Sequence, residues 1–379
     1  MSRVVIAMSG GVDSSVAAAL LKEQGHEVIG IMLRLWSEPE SQEDDGVARV
    51  TENKCCSLES VYDAKRVAQK LEIPFYLLNV EEKFRETIVD FFYDEYTAGR
   101  TPNPCLRCNR YIRFTALLGH AMSLGAEYLA TGHYVRVDTD PLTGERRLRK
   151  GADSLKDQSY VLHTLTQEQL QHALFPLGEF TKPEVRLLAE KYGLAVARKP
   201  ESQEICFVAQ NDYRGFVKRY ALERAAQKNE TAAEPIPGQL PGPIFTKDGK
   251  YLGEHTGLAF YTVGQRKGLG ITAVEPLHVL EIDATRNAII VGPAAALEKS
   301  DFIIRDVHVP RGSALMDTFT GSVKIRYKAP EIPAVIQPLP ENRAAVHLLQ
   351  PARSITPGQA AVVYGGTDNN EVLCGGLIE

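Results

Sequence analysis

The sequence predicts an α/β protein: a doubly wound parallel sheet, then a small α+β module, then a C-terminal antiparallel β-barrel. Three observations carry that expectation. Over roughly the first 200 residues, short apolar runs alternate with stretches of helical periodicity, the signature of βα units closing a parallel sheet. Pro235, Pro237, Gly238, Pro241, Gly242 and Pro243 then interrupt the pattern with turn-forming residues. From about Val279 onward only short runs of alternating polarity remain, as the strands of a small barrel require. The expected domains are residues 1–213, 214–278 and 279–379.

Residues 4–8 form a first apolar strand. Residues 14–24 follow with helical composition, and Gly25 stops them. A second strand is expected at 27–33. Between 57 and 71, Leu58, Val61, Ala64, Val67, Ala68 and Leu71 recur at helical spacing and mark one buried face. The acidic stretch 38–45 reads as a solvated loop. A third strand is expected at 75–79, helices at 81–93 and 109–124, and a fourth strand at 128–131. Thr181-Lys182-Pro183-Glu184 opens a helix with a capping box, and Gly193 closes it. Residues 214–228 are helical, and 251–270 form a compact Gly-rich module. Barrel strands are expected at 303–309, 321–327, 334–338, 344–349 and 360–364.

A chain of 379 residues with 44% hydrophobic and 24% charged residues supports a normal core in two or three domains. The net charge of −5 argues against a surface wholly coated by nucleic acid, though not against a local basic patch. No run approaches the roughly 18 apolar residues of a membrane span. The first apolar run ends at Met8, too short for a signal peptide. A soluble, cytoplasmic protein is expected. Six cysteines in such a chain are not a disulfide framework; those that matter are catalytic or metal-binding.

Ser9-Gly10-Gly11-Val12-Asp13-Ser14 lies between the first strand and the first helix. Two glycines let the backbone approach phosphate oxygens, the helix start offers N–H groups and positive charge, and Ser9 and Ser14 add hydroxyls. Asp13 would repel phosphate unless a divalent cation bridged them, so Mg²⁺ is expected. A Gly-Gly turn with an Asp/Ser cap is the bland alternative, and it does not account for all six residues at that junction.

Thr101-Pro102-Asn103-Pro104-Cys105-Leu106-Arg107-Cys108-Asn109 is a Pro-stiffened loop entering a helix. A thiol there has its thiolate favoured by the dipole and by Arg107 and Arg110. From 96 to 126 there is no Asp or Glu, while Arg100, Arg107, Arg110 and Arg113 form a basic patch suited to a phosphodiester backbone. Cys-x-x-Cys is also half of a structural zinc site, but no second pair with matching spacing accompanies it. Cys206, alone in an apolar setting, reads by itself as inert core.

The loop 9–14 resembles the pyrophosphate loop of the ATP pyrophosphatases, which adenylate a substrate carbonyl with ATP. Five more motifs narrow the resemblance: Thr-Pro-Asn-Pro-x-x-x-Cys-Asn at 101–109, Ala-Thr-Gly-His-Tyr at 130–134, Lys-Asp-Gln-Ser-Tyr at 156–160, Ser-Gln-x-Ile-Cys-Phe at 202–207 and Tyr-Thr-x-Gly-Gln-Arg-Lys-Gly-Leu at 261–269. In this order, over essentially the whole chain, they are similar to the tRNA-specific 2-thiouridylases. That resemblance implies ATP-dependent thiolation of the wobble uridine. Cys108 matches the catalytic cysteine and Cys206 the cysteine that accepts persulfide sulfur. Ala7, Met8, Ser9, Gly10, Gly11, Val12, Asp13, Ser14, Leu33 and Gly132 match nucleotide contacts. Asn103, Pro104 and Cys105 match the segment touching the target base. Lys156, Asp157, Gln158, Arg326, Tyr327 and Gln359 match tRNA contacts, and His133 adjoins them. A sulfur-relay protein or cysteine desulfurase is the implied donor.

One position departs from the family: Cys105 stands where its members carry Asp. If Cys105, Cys108 and Cys206 converge, they could hold an iron–sulfur cluster by three irons. Otherwise Cys108 and Cys206 act as a redox pair. Two other readings compete, a pyrophosphatase-type ligase without sulfur chemistry and a non-enzymatic tRNA- or metal-binding protein. Cys55, Cys56 and Cys374 receive no role.

Overall fold

The computed structural model describes residues 1–36, 38, 57–201, 205–208, 210, 212–227 and 238–379. Cys55, Cys56, most of the acidic stretch, Ser202, Gln203, Glu204 and the first two linker prolines lie outside the described residues. Glu38, the one described residue of that acidic stretch, is not solvated: it is buried and paired with Arg219.

The first strands are β1 (Arg3–Met8), β2 (Glu27–Arg34), β3 (Phe75–Asn79) and β4 (Tyr128–Ala130). A hairpin of β5 (Val135–Thr139) and β6 (Arg146–Lys150) precedes β7 (Ala173–Leu174). All pairings in the first sheet are parallel, in the order β3-β2-β1-β4-β7. Strand order reverses beside β1, so a crevice opens between the carboxyl ends of β1 and β4. Both faces are covered. Val4, Ile6 and Met8 pack on α1 (Val12–Glu23), α2 (Leu58–Lys70) and a later helix, while Val5, Ile31 and Leu129 pack on Phe114, Leu117 and Ala121. Period-two alternation along β1 supplies both cores.

The next helix, α3, runs through Glu81–Phe84, Arg85–Val89 and Asp90–Thr97, its middle turn widened to π geometry. After it, α4 runs through Pro104–Arg107, Cys108–Leu117 and Leu118–Ser123, and its middle section is also π-type, with Leu118 N–H reaching the Arg113 carbonyl. The capping box at Thr181 opens α5 (Lys182–Lys191), and α6 (Tyr213–Gln227) follows. Helices α1 and α5 run parallel: Asp13 meets Lys182 at their first turns, and Glu23 meets Lys191 at their last.

The middle unit is a four-stranded sheet in which β10 (His278–Asp283) and β11 (Ala288–Gly292) continue β8 (Gly242–Thr246) and β9 (Tyr251–His255). That sheet carries the unit to Gly292, past the boundary expected at 278. Its core is shared with α3 and α6: Phe92, Tyr96, Phe216 and Tyr220 pack with Ile244, Leu258, Phe260 and Val279 in one aromatic cluster.

The barrel is β12 (Glu298–His308), β13 (Phe319–Lys324), β14 (Ile332–Leu339), β15 (Arg343–Arg353), β16 (Ala360–Gly365) and β17 (Glu371–Ile378), antiparallel and closed by β12 pairing with β17. Strand β13 ends at Lys324, so Arg326 and Tyr327 sit in the following turn rather than in a strand. The hairpin β5-β6 extends the barrel sheet through β17. Nothing in the sequence reading anticipated this graft. Among the described residues, no helix is long and apolar enough to cross a membrane.

Candidate active site

The phosphate loop occupies the crevice. Gly10 has φ +68°, and a Cβ there would lie 2.2 Å from the Ser60 carbonyl oxygen, so only glycine fits against the start of α2. Gly11 is the N-cap of α1 and offers no side-chain cap, which leaves first-turn N–H groups for a phosphate. Ser14 Oγ accepts from Ser9 N–H at 3.2 Å and lies 3.2 Å from Ser9 Oγ, folding the loop back on itself. The neighbouring start of α5 is spoken for: Glu184 caps Thr181, and Asp153 takes the Lys182 N–H at 2.9 Å. Gly132 closes the other side. A Cβ on it would sit 2.8 Å from Ser14 N, so the end of β4 is packed directly on the first turn of α1. Leu33, half-buried at the end of β2, marks the same edge of the sheet.

Asp13 is not waiting alone. Lys182 Nζ donates to its Oδ1 at 2.6 Å and Tyr134 Oη to the same atom at 2.7 Å. Lys182 is buried and also reaches Glu201 at 3.0 Å, and Glu201 in turn pairs with Lys156. Burial next to Asp13 pushes the Tyr134 phenol far above its ordinary value, so it stays a hydrogen-bond donor. Sequence reasoning gave Lys182 only a place in a capping box and missed Tyr134 and Glu201 altogether. The signal for Tyr134 was its position in Ala-Thr-Gly-His-Tyr, directly after Gly132 and His133.

The cysteine segment differs from its expected form. Helix α4 starts at Pro104, five residues before the expected 109, with Asn103 as N-cap accepting from Cys105 N–H at 3.1 Å. Cys105 is therefore the exposed thiol in the first turn, while Cys108 is buried one turn on. Cys105, in the first turn, is the thiol nearer the helix start, and Cys108 lies a turn further in. Cys108 lies in the aromatic cluster, and Cys206, half-buried, packs against the same cluster beside Phe207. Cys374 is barrel core, its thiol pushed up to about 12 by burial. Among the described residues, no three His, Cys, Asp or Glu side chains are gathered closely enough to hold a metal ion.

Much of the basic patch is consumed internally. Arg100 bonds both oxygens of Glu95. The Arg107 guanidinium lies 4.2 Å over Phe91 and 4.9 Å from the Tyr111 ring centre, with Nε donating to the Thr87 carbonyl; burial lowers its pKa. Arg113 donates to Asn109 at 2.7 Å. His133 Nδ1 is 2.8 Å from Thr131 Oγ1, and desolvation, then the nearby Arg113 charge, lowers its pKa to about 3. The ring is thus a neutral hydrogen-bonding group at ordinary pH.

The residues matched to tRNA contacts divide in two. Asp157 is buried and accepts from Gly151 N–H, Ser159 N–H and Ser159 Oγ. Gln158 Oε1 accepts from Tyr134 N–H, and Gln359 Nε2 donates to the Thr101 carbonyl, tying the barrel to the loop before Asn103. These three hold the site in place. Arg326 is exposed beside Tyr160, and Tyr327 lies near Asp157, Cys105 and Glu201; burial, then the Asp157 charge, pushes its phenol up to about 12. Barrel and α/β domain thus meet over the Cys105 end of α4.

Three families match the chain in sequence: a tRNA methyl transferase HUP domain over residues 2–210, a tRNA methyl transferase PRC-barrel domain over 231–293, and an aminomethyltransferase beta-barrel domain over 299–378. The chain is also similar, end to end, to two curated proteins named tRNA-specific 2-thiouridylase MnmA. That of Geotalea uraniireducens (strain Rf4) is 52% identical over 379 residues, covering 100% of this chain and 95% of the relative. That of Moorella thermoacetica is 48% identical over 375 residues, covering 99% of each.

Proposed function

Since this chain belongs to the tRNA-specific 2-thiouridylases, we propose that it replaces oxygen by sulfur at C2 of the wobble uridine in tRNA anticodons. It is an ATP-dependent tRNA sulfurtransferase. The observation that supports the chemistry is spatial: two cysteines 98 positions apart, Cys108 and Cys206, border one apolar cluster in the same fold as an uncapped phosphate-binding helix.

The uracil C2 oxygen is a poor leaving group. Its attack on the α-phosphorus of ATP forms an adenylated base and releases pyrophosphate. Charge then accumulates where the α1 N–H groups, the Ser9 and Ser14 hydroxyls and Lys182 converge. One carboxylate beside phosphates suits Mg²⁺, so Asp13 is the residue that would hold it, and the ion would neutralise the departing pyrophosphate. With that ion held, Asp13 would give up its bond to Lys182, whose ammonium would then be available to phosphate.

Sulfur arrives as a persulfide on Cys206, loaded by a cysteine desulfurase or a sulfur-relay protein. In one route its outer sulfur attacks C2, AMP leaves, and the Cys108 thiolate attacks Cys206 Sγ, breaking the S–S bond. In the other, Cys108 attacks first and releases hydrosulfide, which displaces AMP. Each route leaves 2-thiouridine and a Cys108–Cys206 disulfide, restored by two electrons from an external thiol reductant. The wobble base leaves the anticodon stack to reach the site. The cytoplasm, where tRNA and thiol reductants meet, is the compartment this chemistry needs.

The test is mass spectrometry of tRNA nucleosides after incubation with ATP, Mg²⁺ and a persulfide donor. Iron-free protein should yield 2-thiouridine, and Cys108→Ser and Cys206→Ser should not. Thiolation that appears only after iron–sulfur reconstitution would replace the persulfide route with a cluster. tRNA-dependent pyrophosphate release that yields no 2-thiouridine with any sulfur donor would return the chain to the ligases.

A further inference from the structure

Four charges form an unbroken chain from the phosphate loop to the RNA side of the site. Lys182 Nζ lies 2.6 Å from Asp13 Oδ1 and 3.0 Å from Glu201 Oε1, with its side chain 9% exposed. Glu201 Oε2 pairs with Lys156 Nζ. Burial alone would raise the Glu201 pKa, but hydrogen bonds from Lys156 and Lys182 outweigh it and hold the carboxylate below its ordinary value. Tyr327 of the barrel senses the same charge. One carboxylate therefore serves two cations that point to different substrates.

We infer that Glu201 is a positioning residue shared by both anionic substrates, and that through it ATP and tRNA weaken each other's binding. The inference rests on the thiolase reading, in which Lys156 faces RNA phosphate. Nucleotide phosphates at the start of α1 draw Lys182 towards themselves. Glu201 then keeps Lys156 as its remaining counter-ion and holds it more firmly, away from RNA. When RNA takes Lys156, Glu201 grips Lys182 in the same way, as the reciprocity of linked equilibria demands. The consequence falls after adenylation: once pyrophosphate leaves, Lys182 returns to Glu201, Lys156 is released, and the hold on adenylated tRNA tightens before sulfur transfer.

The test is binding of unmodified tRNA to the full chain at fixed salt, with and without Mg²⁺ and a non-hydrolysable α,β-methylene ATP analogue. In the wild type the analogue should raise the tRNA Kd about fivefold. Glu201→Gln should bind tRNA more tightly than wild type without the analogue and lose the analogue's effect. Glu201→Asp should restore the wild-type ratio. Lys156→Gln breaks the chain from its other end and should bind tRNA more weakly, also with no analogue effect. A merely structural Glu201 would lower both affinities and leave their ratio intact. That result, or a wild-type ratio of one, overturns the inference while the thiolase reading stands. A wild type that binds neither tRNA nor the analogue overturns both.

Discussion

Asp13 is held by a buried ammonium and a phenol, so removing its carboxylate strands Lys182 on Glu201 and, on the proposed reading, also removes the group that would hold Mg²⁺. Asp13→Ala should cut tRNA-dependent pyrophosphate release by about 100-fold or more while tRNA binding is kept, because the lost interaction acts on charge that develops during reaction. Equal loss of binding and turnover would make Asp13 structural. Arg107 teaches the opposite lesson. In sequence it belongs to an acid-free basic stretch; in space its guanidinium is stacked between Phe91 and Tyr111 and bonded to Thr87. Arg107→Ala should cost about 1–2 kcal/mol in urea unfolding and leave the salt slope of tRNA binding unchanged. Arg326→Ala, at an exposed turn, should flatten that slope by about one unit. Residue type and neighbours in the chain reported the charge correctly; its destination depended on Phe91 and the Thr87 carbonyl of another helix.

The junction of β1, β4 and α1 carries the proposed phosphate site, and there Gly132 packs directly on the first turn of α1. Gly132→Ala should push the end of β4 from Ser14 and raise KM for ATP about tenfold with the fold retained, since the added carbon meets backbone at 2.8 Å. Gly119→Ala is the control: beyond its own helix backbone and immediate neighbours nothing lies within 4 Å of its Cβ position, and KM should not move. If both behave alike, the contact does not govern nucleotide binding. This level was the most legible in the sequence. The parallel strands and amphipathic helices are local patterns, and 75–79 is a strand with both ends as expected. Helix α4 was placed too late because Pro104 reads as a loop residue, although Asn103-Pro104 is also an N-cap followed by a good first helical residue. Hairpin β5-β6 was missed for a different reason. Its second strand, Arg-Arg-Leu-Arg-Lys, lacks the apolar alternation of a strand, and its partners Asp368 and Glu331 lie far along the chain.

Across the whole molecule, two cores cross from one part to the next, joining the α/β domain to the middle unit and to the barrel, while the barrel interior and the α1 side of the parallel sheet pack within their own parts. Tyr160 bonds the Ala360 carbonyl, Arg311 clamps Asp140 to Glu371, and the ring of His163 lies 2.5 Å from where a Cβ on Gly375 would be. Residues 1–213 alone should therefore be insoluble or molten, detectable as loss of near-ultraviolet dichroism; a cooperative melt from that fragment would contradict the shared cores. The same seam is acid-sensitive. Burial, partly offset by a bond to the Tyr160 carbonyl, lowers the His163 pKa from 6.5 to about 4, and burial lowers that of His308 as well. Protonation thus favours the unfolded chain. The contribution is complete above pH 6.5 and drains away as pH falls towards 4, and His163→Gln should make unfolding less pH-dependent across that window. A wild-type slope in the variant would place the acid sensitivity elsewhere. The grafted hairpin also sets a timetable for the nascent chain. Strand β6 leaves the ribosome long before β17, its neighbour in the barrel sheet, and at roughly 5–20 residues per second the wait is on the order of 10 to 45 s. Throughout it a strand of four cations stands without Asp368, Glu331 and Glu371, close to the most polyanionic surface in the cell. A chain that stops short of β17 leaves this hairpin without its neighbour and the barrel unclosed, so the surface that carries Tyr327 and Gln359 to the Cys105 end of α4 is completed only when β17 is in place.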